Sequence, residues 1–248
     1  MIPIYEYARP GYPDGLFRDI VSFAELMPDA EILEVGSGPG QATDFFVKNG
    51  YRITALEISQ PQVRYLKRKY AAYPNFHAVC SAFETFSGAI GAYDLIFSAT
   101  AFHWIAPEVG YPKAYDLLKT NGSMSVFWHL SSIVEPKTEP MNAIRNICRT
   151  VAPELDDFIS AAESEELHRL RLAQMEAGRF HAPSAFLYRW EEAYSTERYL
   201  KLMRSYSDFT EISPGRQTSI LHSVADYLHG IGDQIVIPQE VRMYIGKK

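Results

Sequence analysis

A short stretch near the amino terminus combines closely spaced glycines with a carboxylate, a pattern typical of a ligand-binding turn. Glu31–Thr43 reads EILEVGSGPGQAT, so an apolar run with strand character stops at Gly36, Gly38 and Gly40, and a helix-like pattern follows. Glycines at this place let a ligand approach backbone N–H groups, and the following helix N-terminus favours a negative group. A purely structural strand–helix turn is the alternative interpretation.

A second carboxylate strengthens the ligand-binding interpretation. Glu57 ends the next apolar run, RITALEI, about 20 residues after the glycines, where an acid can accept hydrogen bonds from both hydroxyls of a ribose. A solvent-facing acid at a strand end is the alternative for Glu57 alone. Together with the glycines, it favours a cofactor that contains a nucleoside.

The glycine spacing and a neighbouring acid distinguish two classes of cofactor. The dinucleotide pattern is G-x-G-x-x-G, whereas here the third glycine comes one residue early and Gln41 takes its place. Glu34 adds a negative charge that suits an ammonium group better than a pyrophosphate. We therefore expect binding of S-adenosylmethionine and S-adenosylhomocysteine rather than NAD, and we expect Gly38 to adopt a geometry that a Cβ would not tolerate. A nicotinamide-dependent oxidoreductase and a non-catalytic binding module remain alternatives.

Composition excludes several other classes. The 248 residues are 47% hydrophobic and 22% charged, which fits one globular domain over residues 1–248. A net charge of −6 disfavours a nucleic-acid surface. Cys80 and Cys148 have neither metal-ligand spacing nor a disulfide framework, and we see no signal peptide and no bilayer-spanning run. These features predict a cytoplasmic protein without a metal, a nucleic-acid partner or a membrane, and we expect a monomer or a homodimer.

Apolar runs that alternate with helical patterns predict an α/β fold with a parallel sheet covered on both faces. The expected strands are EILEV, RITALEI, FHAVC, YDLIFSAT, SMSVFWH and AFLYRWEEAY. Ser59 with Gln62 resembles a capping box for the second helix. A helix near Tyr111–Lys119 should lead to a turn at Asn121. Pro238 permits only an edge or an end of a strand in the closing segment.

Two segments outside this alternation are expected to cover the cleft. Residues 135–178 read as an all-helical insertion, either a cap over the site or extra outer-layer helices. Residues 1–15 include YEYARPGYP, which is either a surface tail or a lid.

Several motifs resemble those of class I S-adenosylmethionine-dependent methyltransferases. They are ILEVGSGPGQAT, ALEIS, SAFETF, YDLIFSATAFHWI and LLKTNGSMSVF, and with YARPGYP and PQEVRMYIGKK they are most similar to the small-molecule branch that includes trans-aconitate methyltransferase-like proteins. The resemblance implies a Rossmann-like sheet of seven strands, mostly parallel, with the last strand antiparallel. The Asn/Asp-Pro-Pro-Tyr sequence of DNA amino methylases is absent, which disfavours a nucleobase amine.

The resemblance also assigns expected roles to individual residues of the cofactor site. Glu34 and the Gly36–Gly40 loop, with Ser37, would lie at the methionine end, and Glu57 at the ribose. The expected adenine contacts are Ile58, Ala82 and Phe83, and the residues expected near the transferable methyl group are Ser98 and Ala99. Packing in the core is the alternative for Phe83.

The candidates for contact with the acceptor lie in two segments. His103 is expected to act as a base or to hydrogen-bond the substrate, with a packed histidine as the alternative, and Trp104 could wall the pocket or lie in the core. His129 is a weaker candidate. The lid implied by the resemblance would bring Tyr7 and Arg9 to the methyl donor, where Arg9 could pair with an anionic acceptor. A carboxylate acceptor would need no base, whereas a phenol or an amine would benefit from one.

Overall fold

The computed structural model describes residues 6–130, 138–155 and 160–248. Its strands are β1 (Glu31–Val35), β2 (Arg52–Glu57), β3 (Phe76–Cys80), β4 (Tyr93–Ala99), β5 (Leu118–His129), β6 (His181–Ser195) and β7 (Gln234–Lys247). They form one seven-stranded sheet in the order β3-β2-β1-β4-β5-β7-β6.

Strand directions confirm the predicted Rossmann-like architecture. β1 pairs in parallel with β2 and β4, and parallel pairs also join β2 to β3 and β4 to β5. β7 runs antiparallel to β5. Because the first five strands run in one direction, their carboxyl ends meet at one edge of the sheet, which is where ligands bind in such folds.

Helices precede the first strand, connect several of the parallel strands and follow the last of them. They are α1 (Asp14–Phe23), α2 (Thr43–Lys48), α3 (Gln60–Lys69), α4 (Pro107–Leu117), α5 (Glu139–Val151), α6 (Ala161–Ala177), α7 (Thr196–Met203), α8 (Ser207–Glu211) and α9 (Pro214–Gly230). Two 3-10 turns span Phe102–Trp104 and Pro153–Leu155. Gly50 follows α2 with φ +88°, the left-handed conformation that glycine adopts without strain at a helix end. None of the helices in the described ranges is long and apolar enough to cross a membrane.

The described residues divide into two compact units. The sheet unit contains residues 11–129, 166–188 and 241–248, and the helical unit contains the described residues between 6 and 10, 130 and 165, and 189 and 240. Each has an apolar core of its own. In the sheet unit the core includes Leu33, Ile96 and Val126, and in the helical unit Ile144, Leu202 and Val224.

The predicted cap segment is helical where it is described. It contains α5, the Pro153–Leu155 turn and α6. Residues 135–137 and 156–159 lie outside the described residues, including Phe158 and Ile159 of the predicted second helix. The division between the two units falls at Glu165, within α6. That this segment covers the cleft stays a prediction.

Two local expectations were wrong. Ser59 precedes α3, but its side chain makes no capping hydrogen bond, and its backbone N–H donates to Glu57 Oε1. β5 begins at Leu118, so the expected helix ends earlier and Asn121, with φ +65°, lies inside the strand. Pro238 agrees with the expectation for a strand proline. It lies in the part of β7 before the pairing with β5 begins at Val241, so β7 is an edge on that side and no ladder bond to β5 is lost.

Candidate active site

The glycine loop joins β1 to α2 in a conformation that other residues adopt only with strain. Gly36, Gly38 and Gly40 have φ values of +72°, +54° and +87°. The backbone part of the prediction for Gly38 is therefore confirmed. Crowding is greater at its neighbours. A Cβ at Gly36 would lie 2.5 Å from the Ala101 Cβ, and one at Gly40 would lie 2.6 Å from the Tyr70 hydroxyl.

Glu34 is a buried carboxyl group directly before this loop. Its side chain is 1% exposed, Oε2 accepts a hydrogen bond from Thr43 Oγ1 at 2.5 Å, and Oε1 has no hydrogen-bond partner among the described residues. Burial raises the pKa of Glu34 to about 8, against the opposing effects of Thr43 and Lys69. A buried carboxyl oxygen without a partner beside a glycine turn fits the ammonium group of S-adenosylmethionine.

Glu57 ties the glycine loop to the end of β2. Its Oε2 accepts from the Gly38 N–H at 3.0 Å and its Oε1 accepts from the Ser59 N–H at 2.8 Å. Because a carboxylate has about four lone-pair sites, acceptor capacity remains for two ribose hydroxyls. Ile58 follows directly and is 74% exposed. An exposed aliphatic side chain beside the ribose acid is consistent with the predicted adenine contact.

The other residues predicted at the adenine differ in exposure. Ala82 is half-buried, whereas Phe83 is 3% exposed and its ring centroid lies 6.2 Å from that of Phe102 in the core of the sheet unit. Phe83 thus contributes to the core, the alternative considered for it. Its contact with adenine stays a prediction.

The carboxyl end of β4 is fixed by bonds to three other elements. Ser98 is fully buried and its Oγ donates to the Val35 carbonyl at 2.7 Å, so its hydroxyl is used within the sheet, and Ala99 follows as the last residue of β4. Thr100 has φ +54°, which is unusual for a β-branched residue. Its N–H donates to the Phe127 carbonyl, and its Oγ1 is 2.9 Å from the Tyr12 hydroxyl. Strained backbone held by such bonds is common at functional sites.

His103 lies in the 3-10 turn after β4 and is bonded through one ring nitrogen. Trp128 Nε1 donates to His103 Nδ1 at 3.0 Å. The neutral ring therefore carries its proton on Nε2, as a hydrogen-bond donor. Burial and the Arg171 charge lower the pKa of His103. Trp104 is 77% exposed, so the core interpretation was wrong for it.

Two residues that sequence reasoning missed contact this region of the sheet unit. The Tyr12 ring lies 4.7 Å from the His129 ring at the end of β5, and the Arg171 guanidinium lies 4.4 Å from the centre of the Trp128 ring. Tyr12 stands in the GYP sequence beside the tyrosines considered above, but nothing in the sequence distinguishes it from them. Arg171 is one of several charged residues of α6 and gives no sequence signal.

The two candidates in the N-terminal segment belong to the helical unit. Arg9 donates from Nε to Ser205 Oγ at 2.8 Å and from Nη2 to the Ser205 carbonyl at 2.9 Å, and it stacks on Tyr206. Tyr7 is 53% exposed, with the Lys201 ammonium over its ring. Their approach to the methyl donor stays a prediction. Within the described ranges, no group of three or more His, Cys, Asp or Glu side chains is placed to hold a metal ion.

Comparison with known proteins agrees with this geometry. Residues 32–122, which contain the glycine loop, Glu57 and β4, match a family model described as a methyltransferase domain. Two relatives are methyltransferases of Schizosaccharomyces pombe that have not been characterised. One is 25% identical over 90% of this chain and 82% of its own length, and the other is 28% identical over 60% of this chain. The chain spans 57% of the length of the second.

A solved structure has a similar fold. A proposed type II methyltransferase from Anaeromyxobacter dehalogenans is 18% identical, with a TM-score of 0.69 over 96% of this chain and 97% of that one. At this identity the likeness concerns the fold, while the sequence match concerns the family. Together with the glycines and carboxyl groups of the loop, these findings identify residues 32–122 as part of an S-adenosylmethionine-dependent methyltransferase domain.

Proposed function

We propose that the protein transfers a methyl group to a small-molecule acceptor and that the attacking atom is an oxygen, most simply that of a carboxylate. The observation that carries this proposal is the hydrogen bond from Trp128 to His103 Nδ1. It occupies the lone pair that a general base would need and leaves an N–H on Nε2. An acceptor that arrives without a proton to lose suits such a site.

Different residues of the chain would bind different groups of the cofactor. Glu34 would pair with the ammonium group, Glu57 would accept the ribose hydroxyls, and the glycine loop would lie against the methionine end. When bound, S-adenosylmethionine supplies a methyl group that its sulfonium has already activated. His103 would then donate its Nε2–H to an acceptor oxygen and orient it. Positioning of this kind can provide much of the rate of such a reaction.

Isotope transfer tests the proposal. We expect labelled methyl groups from S-adenosylmethionine to enter a pool of small metabolites, and mild alkali to release most of the label as methanol, because carboxylate esters hydrolyse in base. Label that survives alkali would indicate an N-methyl, C-methyl or ether O-methyl product and would overturn the carboxylate acceptor. Binding without any transfer would favour the non-catalytic module.

The Glu57 side chain provides a test of the cofactor site. Hydrogen bonds to a charged group contribute about 1.5–3 kcal/mol, so Glu57→Ala should weaken S-adenosylhomocysteine binding roughly 10- to 100-fold. Glu31→Ala is the matched control, because Glu31 begins β1 and lies at the end of that strand away from the glycine loop. This variant should bind S-adenosylhomocysteine as the wild type does. Calorimetry measures both. Tight NAD binding by the wild type, or full affinity in Glu57→Ala, would contradict the assignment.

We further propose a cytoplasmic enzyme, monomeric or homodimeric, that acts on neither nucleic acid nor membranes. The net charge of −6 and the spacing of the two cysteines support this proposal. Membership in the trans-aconitate methyltransferase-like branch rests on the sequence motifs named above.

A further inference from the structure

Arg171 of α6 is a cation without an anionic partner in the sheet unit. It is half-buried, with its guanidinium 4.4 Å from the centre of the Trp128 ring and its Nη1 donating to Gln174 Oε1 at 3.1 Å. Within the described ranges these are its polar and ring contacts, and no carboxylate is among them. Because burying a charge is costly unless it is paired, a site of this kind is suited to an incoming anion.

The contacts of Trp128 connect Arg171 to the candidate active site. The face of the Trp128 ring carries the guanidinium, while its Nε1 donates to His103 Nδ1 at 3.0 Å. His103 belongs to the turn that follows β4, and Ala101, two residues before it, would touch a Cβ at Gly36. A single rigid ring therefore orients the cation and the histidine at the edge of the sheet that carries the glycine loop.

Both groups present N–H donors and no negative charge. When a guanidinium stacks on an aromatic ring, its N–H groups point outward in a plane parallel to that ring. A carboxylate in this plane can accept two of them. His103 adds one donor through Nε2. The Arg171 charge interacts with the hydroxyls of Tyr111 and Tyr244 and lowers the pKa of His103. The cluster is electropositive.

We propose that Arg171 and His103, both oriented by Trp128, form the subsite that binds the carboxylate of the methyl acceptor. This inference rests on the proposed function and names the residues that select the acceptor. Arg171 supplies the charge and His103 a hydrogen bond. A carboxylate has about four lone-pair sites, so two N–H groups of Arg171 and one of His103 leave one lone pair for the oxygen that is methylated.

The indole N–H of Trp128 reports on this subsite directly. In a proton–nitrogen correlation spectrum of the protein saturated with S-adenosylhomocysteine, the Trp128 signal is assigned with Trp128→Phe. Benzoate serves as the carboxylate probe and benzamide as its neutral counterpart. We expect benzoate to shift the Trp128 signal in a saturable manner, and benzamide to leave it in place.

Two arginine variants locate the effect. Arg171→Met should weaken benzoate binding roughly 10- to 100-fold, the range for loss of a charge-assisted contact. Arg171→Lys keeps the cation without the paired N–H groups and should show an intermediate loss. Arg179→Met is the matched control, because Arg179 also stacks on an aromatic ring, that of Tyr115, but is paired with Asp116 at 2.7 Å. It should bind benzoate as the wild type does.

The outcomes separate this inference from the proposed function. Calorimetry of S-adenosylhomocysteine should give the same affinity in all three arginine variants. A benzamide shift equal to that of benzoate, no benzoate shift in the wild type, or an unchanged shift in Arg171→Met and Arg171→Lys would overturn the subsite. Failure of the wild type to transfer labelled methyl groups would instead overturn the proposed function.

Discussion

Binding of S-adenosylmethionine near pH 7 is expected to release about one proton from the wild-type protein, and none from Glu34→Gln. The pKa of Glu34 is raised to about 8 by burial, so the carboxyl group is mostly protonated before the cofactor arrives. An ammonium group favours the charged form and lowers the pKa again, which releases the proton. Calorimetry in buffers of different ionisation enthalpy counts the protons.

The same pKa predicts how the stability of the ligand-free protein depends on pH. The folded pKa lies above the ordinary value of 4.5, so the folded state binds more protons than the unfolded state between about pH 4.5 and 8. In that window the free energy of unfolding should fall by ~1.4 kcal/mol per pH unit on account of Glu34. Glu34→Gln should remove this decline, and thermal unfolding at several pH values measures it.

A control on the same strand makes the Glu34 test specific. Glu31→Gln introduces the same change at a partly exposed site that pairs with Arg52, and should leave both the proton count and the pH profile unaltered. Glu34→Gln should also weaken cofactor binding roughly 10- to 100-fold. If the wild type releases no proton, or if Glu34→Gln releases as many as the wild type, the carboxyl group does not meet the ammonium.

Gly36→Ala is expected to lower cofactor affinity about tenfold or more, because the new Cβ would lie 2.5 Å from the Ala101 Cβ and must displace the loop or the β4 turn. The φ of +72° adds strain of ~1 kcal/mol or more for any residue with a Cβ. Calorimetry and thermal unfolding measure the two effects.

Two further variants separate crowding from backbone strain. Gly91 has a similar φ of +67° with nothing within 4 Å of its would-be Cβ, so Gly91→Ala should show the strain alone and bind cofactor normally. Adding Ala101→Gly to Gly36→Ala removes the opposing atom and should restore much of the affinity. If Gly36→Ala and Gly91→Ala bind the cofactor with equal affinity, the contact with Ala101 does not affect cofactor binding.

The cofactor half of the site was predictable because its signals are local. Glycine spacing, an acid before the loop and an acid at the next strand end lie within Glu34–Glu57, and they need only the strand–helix alternation to converge. Phe83 was ambiguous because an apolar aromatic residue looks the same in a core and against a ligand base. The burial of Phe83 distinguishes the two, but that burial depends on the arrangement of the strands around it.

The acceptor half was less predictable because its contacts join distant residues. The Trp128–His103 bond spans 25 positions and the Tyr12–Thr100 bond spans 88. No periodicity indicates which tryptophan will meet which ring nitrogen. The sequence indicated His103 as a titratable group near the site, but the role that we propose for it, as a donor rather than a base, depends on the bond to its Nδ1.

Glu57 already holds Gly38 at 3.0 Å, so the loop is fixed before any ligand arrives. A preformed site has little ordering entropy to lose on binding, and ligands can exchange without refolding the loop. In the proposed site, Glu34 and Glu57 would bind the ammonium and the ribose, which the methyl donor and the spent product share. The product should therefore compete strongly with the donor. In a cell, the turnover of such an enzyme would follow the ratio of the two rather than the concentration of the donor alone.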